Sequence, residues 1–136
     1  MMRKIVAVVA GLVAWTVVAT VLNLLMRTTW PDYAAVEVTM SFPFAMMIAR
    51  LAIGVIASIA AGLVAASVTR GFGMPEKVLA VLLLLMFIPV HYRLWDKFPL
   101  WYHLVFVGSL IPLTLAGAIW KAQSIAGKAR SSTPAG

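Results

Sequence analysis

The sequence predicts an all-α protein, a bundle of four membrane-spanning helices that pass up, down, up and down with both termini in the cytoplasm. Hydrophobic residues make up 63% of the 136 residues and charged residues only 11%, whereas a soluble domain carries about 25% charged residues. The apolar residues fall into four long runs, each near the roughly 20 residues that a spanning helix needs. Short segments with charges or proline separate these runs.

The four apolar runs set the predicted helices. The first run follows a positively charged start and exceeds the roughly 7–15 apolar residues of a signal peptide, so we interpret it as a retained spanning helix. The second has Ser41 as its predicted N-cap, Pro43 in its first turn and a glycine stop within residues 70–73, at Gly71 or Gly73. The predicted helices cover residues 5–26, 42–69, 75–95 and 99–120.

Two segments lie beside these predicted helices. The connector between the first and second helices starts with a turn at Pro31, because proline followed by aspartate favours turns, and residues 34–40 are predicted to form a short surface helix. The segment 121–136 is basic and then rich in Ser, Thr, Pro, Ala and Gly. Chain ends of this kind are commonly poorly ordered, so we expect a disordered cytoplasmic tail. The membrane domain is therefore predicted over residues 1–120.

The distribution of Lys and Arg predicts the orientation. The net charge is +7, and membrane proteins concentrate Lys and Arg in their cytoplasmic segments. A cytoplasmic N-terminus leaves Arg27, Arg93 and Lys97 outside. The cations that it places inside are Arg3, Lys4, Arg70, Lys77, Lys121, Lys128 and Arg130. Both termini are therefore predicted to face the cytoplasm from the cell membrane, which is the inner membrane in a bacterium.

Composition and motifs also narrow the chemistry. The chain has no cysteine, which excludes a disulfide, a thiolate nucleophile and a cysteine-ligated metal. No basic surface with interleaved aromatic residues lies outside the predicted helices, so nucleic acid is not a predicted partner. No GxSxG, HExxH, phosphate-loop or dinucleotide motif occurs. The sequence therefore predicts no catalytic residue and no metal site.

Small residues recur at every fourth position along the second predicted helix. This spacing lets helix backbones approach closely, which is how membrane helices gain packing energy. Ala7 and Gly11 on the first helix offer a weaker match and a partner face. Two interpretations stay open: packing within one bundle, or an interface between copies of the chain. The small residues of the second helix are Gly54, Ser58, Gly62 and Ala66.

Arg50 extends this spacing one step before Gly54, about 12 Å into the second helix. We expect it to point into the bundle, because a lipid-facing arginine would not lie on the small-residue stripe. Intramembrane charges are costly and often functional, although a long side chain can also extend to the headgroups. On the first helix Thr16, Thr20 and Asn23 share one face. Arg50, Asn23 and Thr20 are candidate ligand- or ion-binding residues, with a structural hydrogen bond as the alternative role of Arg50.

The turn between the third and fourth helices collects polar and aromatic side chains at the predicted outer surface. Together with Trp30 and Tyr33 of the first connector, its tyrosines and tryptophans fit the aromatic belt of a membrane interface. His91 and His103 are expected at similar heights on facing helices, which suits axial haem ligation, while interfacial hydrogen bonding is the simpler role. Asp96 is expected to pair with Arg93 or with Arg50. The candidate binding residues of this hairpin are His91, Tyr92, Arg93, Asp96 and His103.

Three functions are consistent with these features. The first is a non-enzymatic accessory subunit or self-assembling scaffold, as a homo-oligomer or within a membrane complex, that packs through the second helix. The second is a small transporter or channel in which Arg50 and the outer polar cluster bind an anionic or polar solute. The third is an enzyme that binds haem, quinone or lipid through His91 and His103. Membrane lipids are expected partners in each case, and only the third function calls for a cofactor.

Overall fold

The computed structural model describes residues 1–131 and shows an all-α protein. Four helices are long and apolar enough to cross a membrane, which confirms the fold class predicted from the sequence. A fifth, short helix lies between the first two long ones. The direction of each helix through a membrane and the location of the termini stay predictions. The helices are α1 (Met2–Thr29), α2 (Pro31–Glu37), α3 (Phe44–Thr69), α4 (Met74–Arg93) and α5 (Leu100–Ser131).

Both ends of α3 differ from the predicted ones for reasons of backbone geometry. Its N-cap is Pro43 rather than Ser41, because Pro43 is extended, with φ −68° and ψ 166°, and its carbonyl accepts two amides of the first turn. At the other end Arg70, rather than Gly71, takes the left-handed conformation, with φ 60°. The Gly71 amide then donates to the Ala66 carbonyl at 3.2 Å, which closes the end of the helix.

Two connecting segments differ from the predicted ones. The short helix α2 covers Pro31–Glu37 rather than residues 34–40, since proline fits the first helical position. An ion pair of 2.6 Å between Arg27 and Glu37 joins the ends of α1 and α2. The last helix continues over residues 121–131, where the sequence predicted a disordered tail; this stretch contains three Ala, two Lys and one Arg, which favour helix. Residues 132–136 of that tail lie outside the described residues.

Helix α3 is the centre of the bundle. Its most extensive contacts are with α1 and α5, and more of its residues are buried than in any other helix of the described chain. Helices α1 and α3 pack antiparallel to each other, because Arg3 lies beside Val68 whereas Trp15 lies beside Ser58. The start of α1 therefore packs against the end of α3.

Toward α1, small residues give α3 a close-packed face. Ala61 and Ala65 of α3 pack with Ala7 of α1 and Leu79 of α4 in one buried cluster. Gly11 belongs to the same contact, because a Cβ added there would lie 3.2 Å from the Ala61 carbonyl oxygen. Real Cβ contacts are rarely that short, so the glycine permits the close approach of α1 to α3.

Toward α5, α3 presents two glycines. A Cβ added to Gly54 would lie 2.8 Å from the Phe106 ring. A Cβ added to Gly62 would collide with the Thr114 backbone and lie 2.8 Å from the Ala118 amide nitrogen. The two helices therefore touch backbone to backbone at Gly62.

The stripe of small residues on α3 is used within a single chain. Gly54, Ser58, Gly62 and Ala66 are all buried there, and the Ser58 hydroxyl also accepts a 3.1 Å hydrogen bond from the Trp15 indole. Packing within one bundle accounts for all four residues. An interface between copies through this stripe would need the same residues on the surface of the chain.

The turn from α3 to α4 is held by a buried carboxylate. Glu76 is fully buried and accepts hydrogen bonds from the Thr69 hydroxyl at 2.5 Å and the Gly73 amide at 2.8 Å. The second bond satisfies an amide that the start of α4 leaves unpaired. At the same end of the bundle Arg3 Nε donates to the Val68 carbonyl at 2.7 Å, which joins α1 to α3.

We expect Gly62→Ala to destabilise the bundle, because the added methyl group collides with the backbone of α5 rather than with a movable side chain. Overpacking of this kind costs about 1–3 kcal/mol. The matched control is Gly108→Ala on α5, where an added Cβ meets nothing within 4 Å and alanine favours the helix. Reversible unfolding in bicelles measures both variants. An unchanged free energy of unfolding for Gly62→Ala would contradict the close approach.

Candidate functional site

Arg50 of α3 is the centre of a polar cluster inside the bundle. Its Nη1 donates a 2.6 Å hydrogen bond to the Tyr33 hydroxyl, and its Nε donates a 3.3 Å bond to the Tyr102 hydroxyl. The Phe42 and Phe98 rings stack on each other beside the guanidinium, with centroids 4.7 Å and 5.7 Å from Cζ. Aromatic faces attract a cation and offset part of its lost hydration. Two hydroxyls and two rings therefore hold the Arg50 charge within the protein.

The four residues around Arg50 come from short segments at one end of the bundle. Tyr33 lies in the first turn of α2, which Pro31 starts, and is completely buried. Phe42 precedes α3, Phe98 lies in the turn between α4 and α5, and Tyr102 is in the first turn of α5. They form one buried cluster, with ring centroids 5.1 Å apart for Tyr33 and Phe42 and 4.3 Å apart for Phe98 and Tyr102.

Asn23 extends the cluster to α1. The Tyr33 hydroxyl donates to Asn23 Oδ1 at 3.1 Å, and Asn23 Nδ2 donates to the Ala19 carbonyl at 2.9 Å. Tyr33 therefore joins Asn23 to Arg50, two candidate binding residues that the sequence did not connect. Four helices, α1, α2, α3 and α5, meet in this one network.

The outward-facing residues of the hairpin do not join the cluster. Tyr92 is 82% exposed, and Arg93 and Asp96 are also exposed. Neither of the expected ion pairs of Asp96 forms, because the one salt bridge within residues 1–131 joins α1 to α2. The Asp96 side chain is exposed on the turn and faces away from the bundle. The Arg50 charge therefore has no acidic partner in the described part of the chain.

A cavity of about 290 Å³ opens beside Arg50, between α1, α3, α4 and α5. Thr16 and Thr20 of α1 line it and are exposed, so its mouth lies on the side of the bundle. The Phe87 and Phe106 rings border it on α4 and α5. No carboxylate lines the cavity, and its polar lining residues are Trp15, Thr16, Thr20, Asn23, Arg50 and Tyr102.

Several hydrogen-bond donors that line the cavity have no acceptor within residues 1–131. Within residues 1–131, Arg50 Nη2 has no hydrogen-bond partner, and the Tyr102 hydroxyl accepts from Arg50 without donating. One hydrogen of the Asn23 amide and the Thr20 hydroxyl are also unpaired there. Within residues 1–131, Thr114 Oγ1 is the one side-chain nitrogen or oxygen that is both buried and without a hydrogen-bond partner. The unpaired donors of the cavity are therefore accessible rather than buried. Such a donor set suits an anion or a strongly polarised carbonyl.

His91 and His103 contact each other next to Tyr102 of the Arg50 cluster. Their Nδ1 atoms lie 2.7 Å apart and their rings are nearly perpendicular, with centroids separated by 4.9 Å. Two nitrogens on opposite sides of a metal would be about 4 Å apart, given bonds of about 2.0–2.1 Å each. The pair therefore has the geometry of a hydrogen bond rather than of axial haem ligation. His91 also packs on the Phe106 ring, at 4.7 Å between centroids.

Sequence reasoning missed the two tyrosines as partners of Arg50 and assigned them to the interfacial belt. A chemical signal for them was present, because an arginine expected inside the bundle needs acceptors. Tyr33 and Tyr102 supply hydroxyl acceptors at the same predicted end of the bundle. The contacts of Phe42 and Phe98 with Arg50 had no such signal, since contacts between a loop and a distant turn depend on the tertiary fold.

Comparison of the chain with protein-family models, with curated proteins and with solved structures gave no match.

We expect Tyr33→Phe to lower the free energy of unfolding by about 1–3 kcal/mol, because it leaves a buried guanidinium nitrogen and Asn23 Oδ1 without their partner. Tyr92→Phe is the matched control, since Tyr92 is 82% exposed. Chemical denaturation in micelles compares the two variants. Equal free energies of unfolding would show that the Tyr33 hydroxyl does not hold Arg50.

The contacts of the histidine pair predict its tautomers. His103 Nε2 lies 3.4 Å from the Trp95 carbonyl, which only accepts, so Nε2 carries the proton and Nδ1 accepts. His91 then donates from its own Nδ1. We expect nitrogen NMR of histidine-labelled protein to show one ring protonated at Nδ1 and one at Nε2. The His103→Asn variant assigns the remaining signal to His91, and two rings protonated at Nε2 would contradict the arrangement.

Proposed function

We propose that the protein is a small integral membrane protein that binds the anionic group of a ligand or solute in the Arg50 cavity. The observation that carries the proposal is the set of unused donors, with Arg50 Nη2 and the Tyr102 hydroxyl beside a cavity without carboxylates. In this proposal the four apolar helices cross the cell membrane in alternating directions with both termini cytoplasmic, as the Lys and Arg distribution favours. Arg50 then lies in the outer half of the membrane.

The cost of a partly buried charge supports an anionic ligand. Removing a guanidinium from water without a counter-charge is expensive, and two hydroxyls and two aromatic faces offset only part of this cost. Hydrogen bonds in which one partner is ionised are roughly twice as strong as neutral ones. An anion that accepts from Arg50 Nη2 and Tyr102 would complete the set without displacing the existing partners of Arg50.

The other functions predicted from the sequence have weaker support. A scaffold that assembles through α3 would need its small-residue stripe on the surface, and that stripe is buried in one chain. A haem enzyme would need His91 and His103 to face an iron, and their Nδ1 atoms face each other. Neither role uses the unpaired donors of the cavity. The binding of an anion accounts for those donors directly.

Transport of the bound anion is the second candidate function. The cavity opens on the side of the bundle, in the half that contains Arg50, whereas Ala7, Ala61 and Leu79 fill the other half. A site that is reached from one half of the bundle and blocked from the other fits one state of a carrier. Flux of labelled butyrate into liposomes tests this candidate, and binding without flux would leave a binding protein.

Isothermal titration calorimetry on the full chain in nanodiscs tests the proposed binding. Butyrate and the isosteric neutral butyramide are the probes, and empty discs give the background from partitioning into lipid. We expect saturable binding of butyrate and at least about tenfold weaker binding of butyramide. Arg50→Gln should lower butyrate affinity by about 10- to 150-fold, because hydrogen bonds to charged groups contribute about 1.5–3 kcal/mol.

Two further variants make this test specific. Arg93→Gln removes an exposed cation from the same end of the bundle and should leave butyrate affinity unchanged. Tyr102→Phe keeps the Arg50 charge and removes one unused donor, so it should weaken binding less than Arg50→Gln does. Inorganic phosphate, titrated in the same way, shows whether the site prefers a carboxylate or a phosphate. The proposal is wrong if neither anion binds, or if Arg50→Gln and Arg93→Gln have equal effects.

A further inference from the structure

A second charged feature lies at the opposite end of the bundle and is independent of the Arg50 cavity. A cleft of about 380 Å³ separates the end of α3 from the second half of α5. Its lining residues are Ser67, Arg70, Lys121, Ile125 and Lys128. Three of these five side chains are cations, and none is acidic.

Helical spacing places these residues on the cleft. On α5, Lys121, Ile125 and Lys128 are four and then three residues apart, so they share one face. Ser67, in the last turn of α3, and Arg70, the residue that caps this helix, face them. The cleft depends on the continuation of α5 as a helix beyond residue 120, because a disordered segment would not hold Lys128 beside Arg70.

No acidic group neutralises the cations of the cleft in the described part of the chain. Three of the four acids lie in α2 or in the turn between α4 and α5, away from this end. The fourth, Glu76, is buried and bonded to Thr69 and Gly73. Within residues 1–131 the one salt bridge lies elsewhere, between α1 and α2. Three unpaired cations around one cleft raise the local concentration of anions.

The backbone at Arg70 points to the same conclusion. Arg70 has φ 60°, a left-handed conformation that side chains disfavour and glycine adopts without strain. A glycine follows directly, at position 71, yet the left-handed position is held by an arginine whose side chain lines the cleft. A strained residue of this kind is a pointer to function, since helix closure alone would be served better by glycine.

We propose that this cleft binds the phosphate of an anionic phospholipid headgroup. A lipid is favoured over a free phosphate because of where the cleft lies. It is at the end of α3, and its residue Lys121 directly follows Trp120 of α5, which is 66% exposed. Exposed tryptophan is typical of the membrane interface, and basic pockets between helices at that level bind anionic headgroups. Ile125 gives the cleft an apolar wall for the start of an acyl chain.

Native mass spectrometry of the full chain, released from nanodiscs of equal phosphatidylglycerol and phosphatidylcholine, tests the site. We expect retained phosphatidylglycerol, and at least about fivefold less of it in the triple variant Arg70→Gln, Lys121→Gln, Lys128→Gln. The matched control is the triple variant Lys4→Gln, Lys77→Gln, Arg130→Gln, which removes the same charge from the same end but not from the cleft. Equal loss in both triple variants, or equal retention of the two lipids, overturns the proposal.

Two further arms separate the sources of phosphate and exclude misfolding. Inorganic phosphate that displaces the retained phosphatidylglycerol overturns the lipid in favour of a free-phosphate site, and failure to displace it supports the lipid. Arg70→Gly keeps the left-handed backbone and removes the side chain. We expect it to raise the unfolding temperature while it lowers phosphatidylglycerol retention by at least about twofold. Retention unchanged in Arg70→Gly shows that Arg70 does not bind the headgroup.

Discussion

The hydrogen bond from Arg50 to Tyr33 joins parts of the chain that helix packing alone would not bring together. α2 is a short helix with few contacts of its own, and Tyr33 fixes it over α1 and α3 by accepting from Arg50 and donating to Asn23. Tyr102 does the same for the start of α5. The buried charge therefore organises one end of the bundle, because each segment that meets there contributes to its solvation.

Close packing of α3 is what keeps this charge out of lipid. Gly62 brings α5 against α3, while Ala61 and Gly11 bring α1 against its other side. With a neighbour so close on each side, a side chain that leaves α3 at Arg50 points between helices rather than outward. The same approach sets the width of the cavity, since Gly54 lies against Phe106 at its border. Small residues thus act on the site through the distance between helices.

The sequence predicted the parts of this protein that depend on local pattern. Four apolar runs gave four helices, and the spacing of Gly54 and Gly62 indicated a close-packed face on α3. The helix ends and the site depended on tertiary geometry. Local backbone preference favours Gly71 over Arg70 as the left-handed residue, yet Arg70 takes that conformation, and Tyr33 reaches Arg50 only because α2 folds back over α1. Polar contacts between distant segments have no periodic signature, so composition alone placed Tyr33 in a belt.

The two ends of the bundle accommodate positive charge in opposite ways. Arg50 is enclosed by hydroxyls and rings with one nitrogen open to a cavity, whereas Arg70 lies at a helix end beside two lysines and a cleft. Arg50 lies in α3 and Arg70 caps its C-terminal end, and the contacts of α3 at Gly62 and Ala61 are backbone to backbone or nearly so. Close-packed contacts of this kind have low compressibility and transmit strain, so α3 is the element through which binding at one end would reach the other.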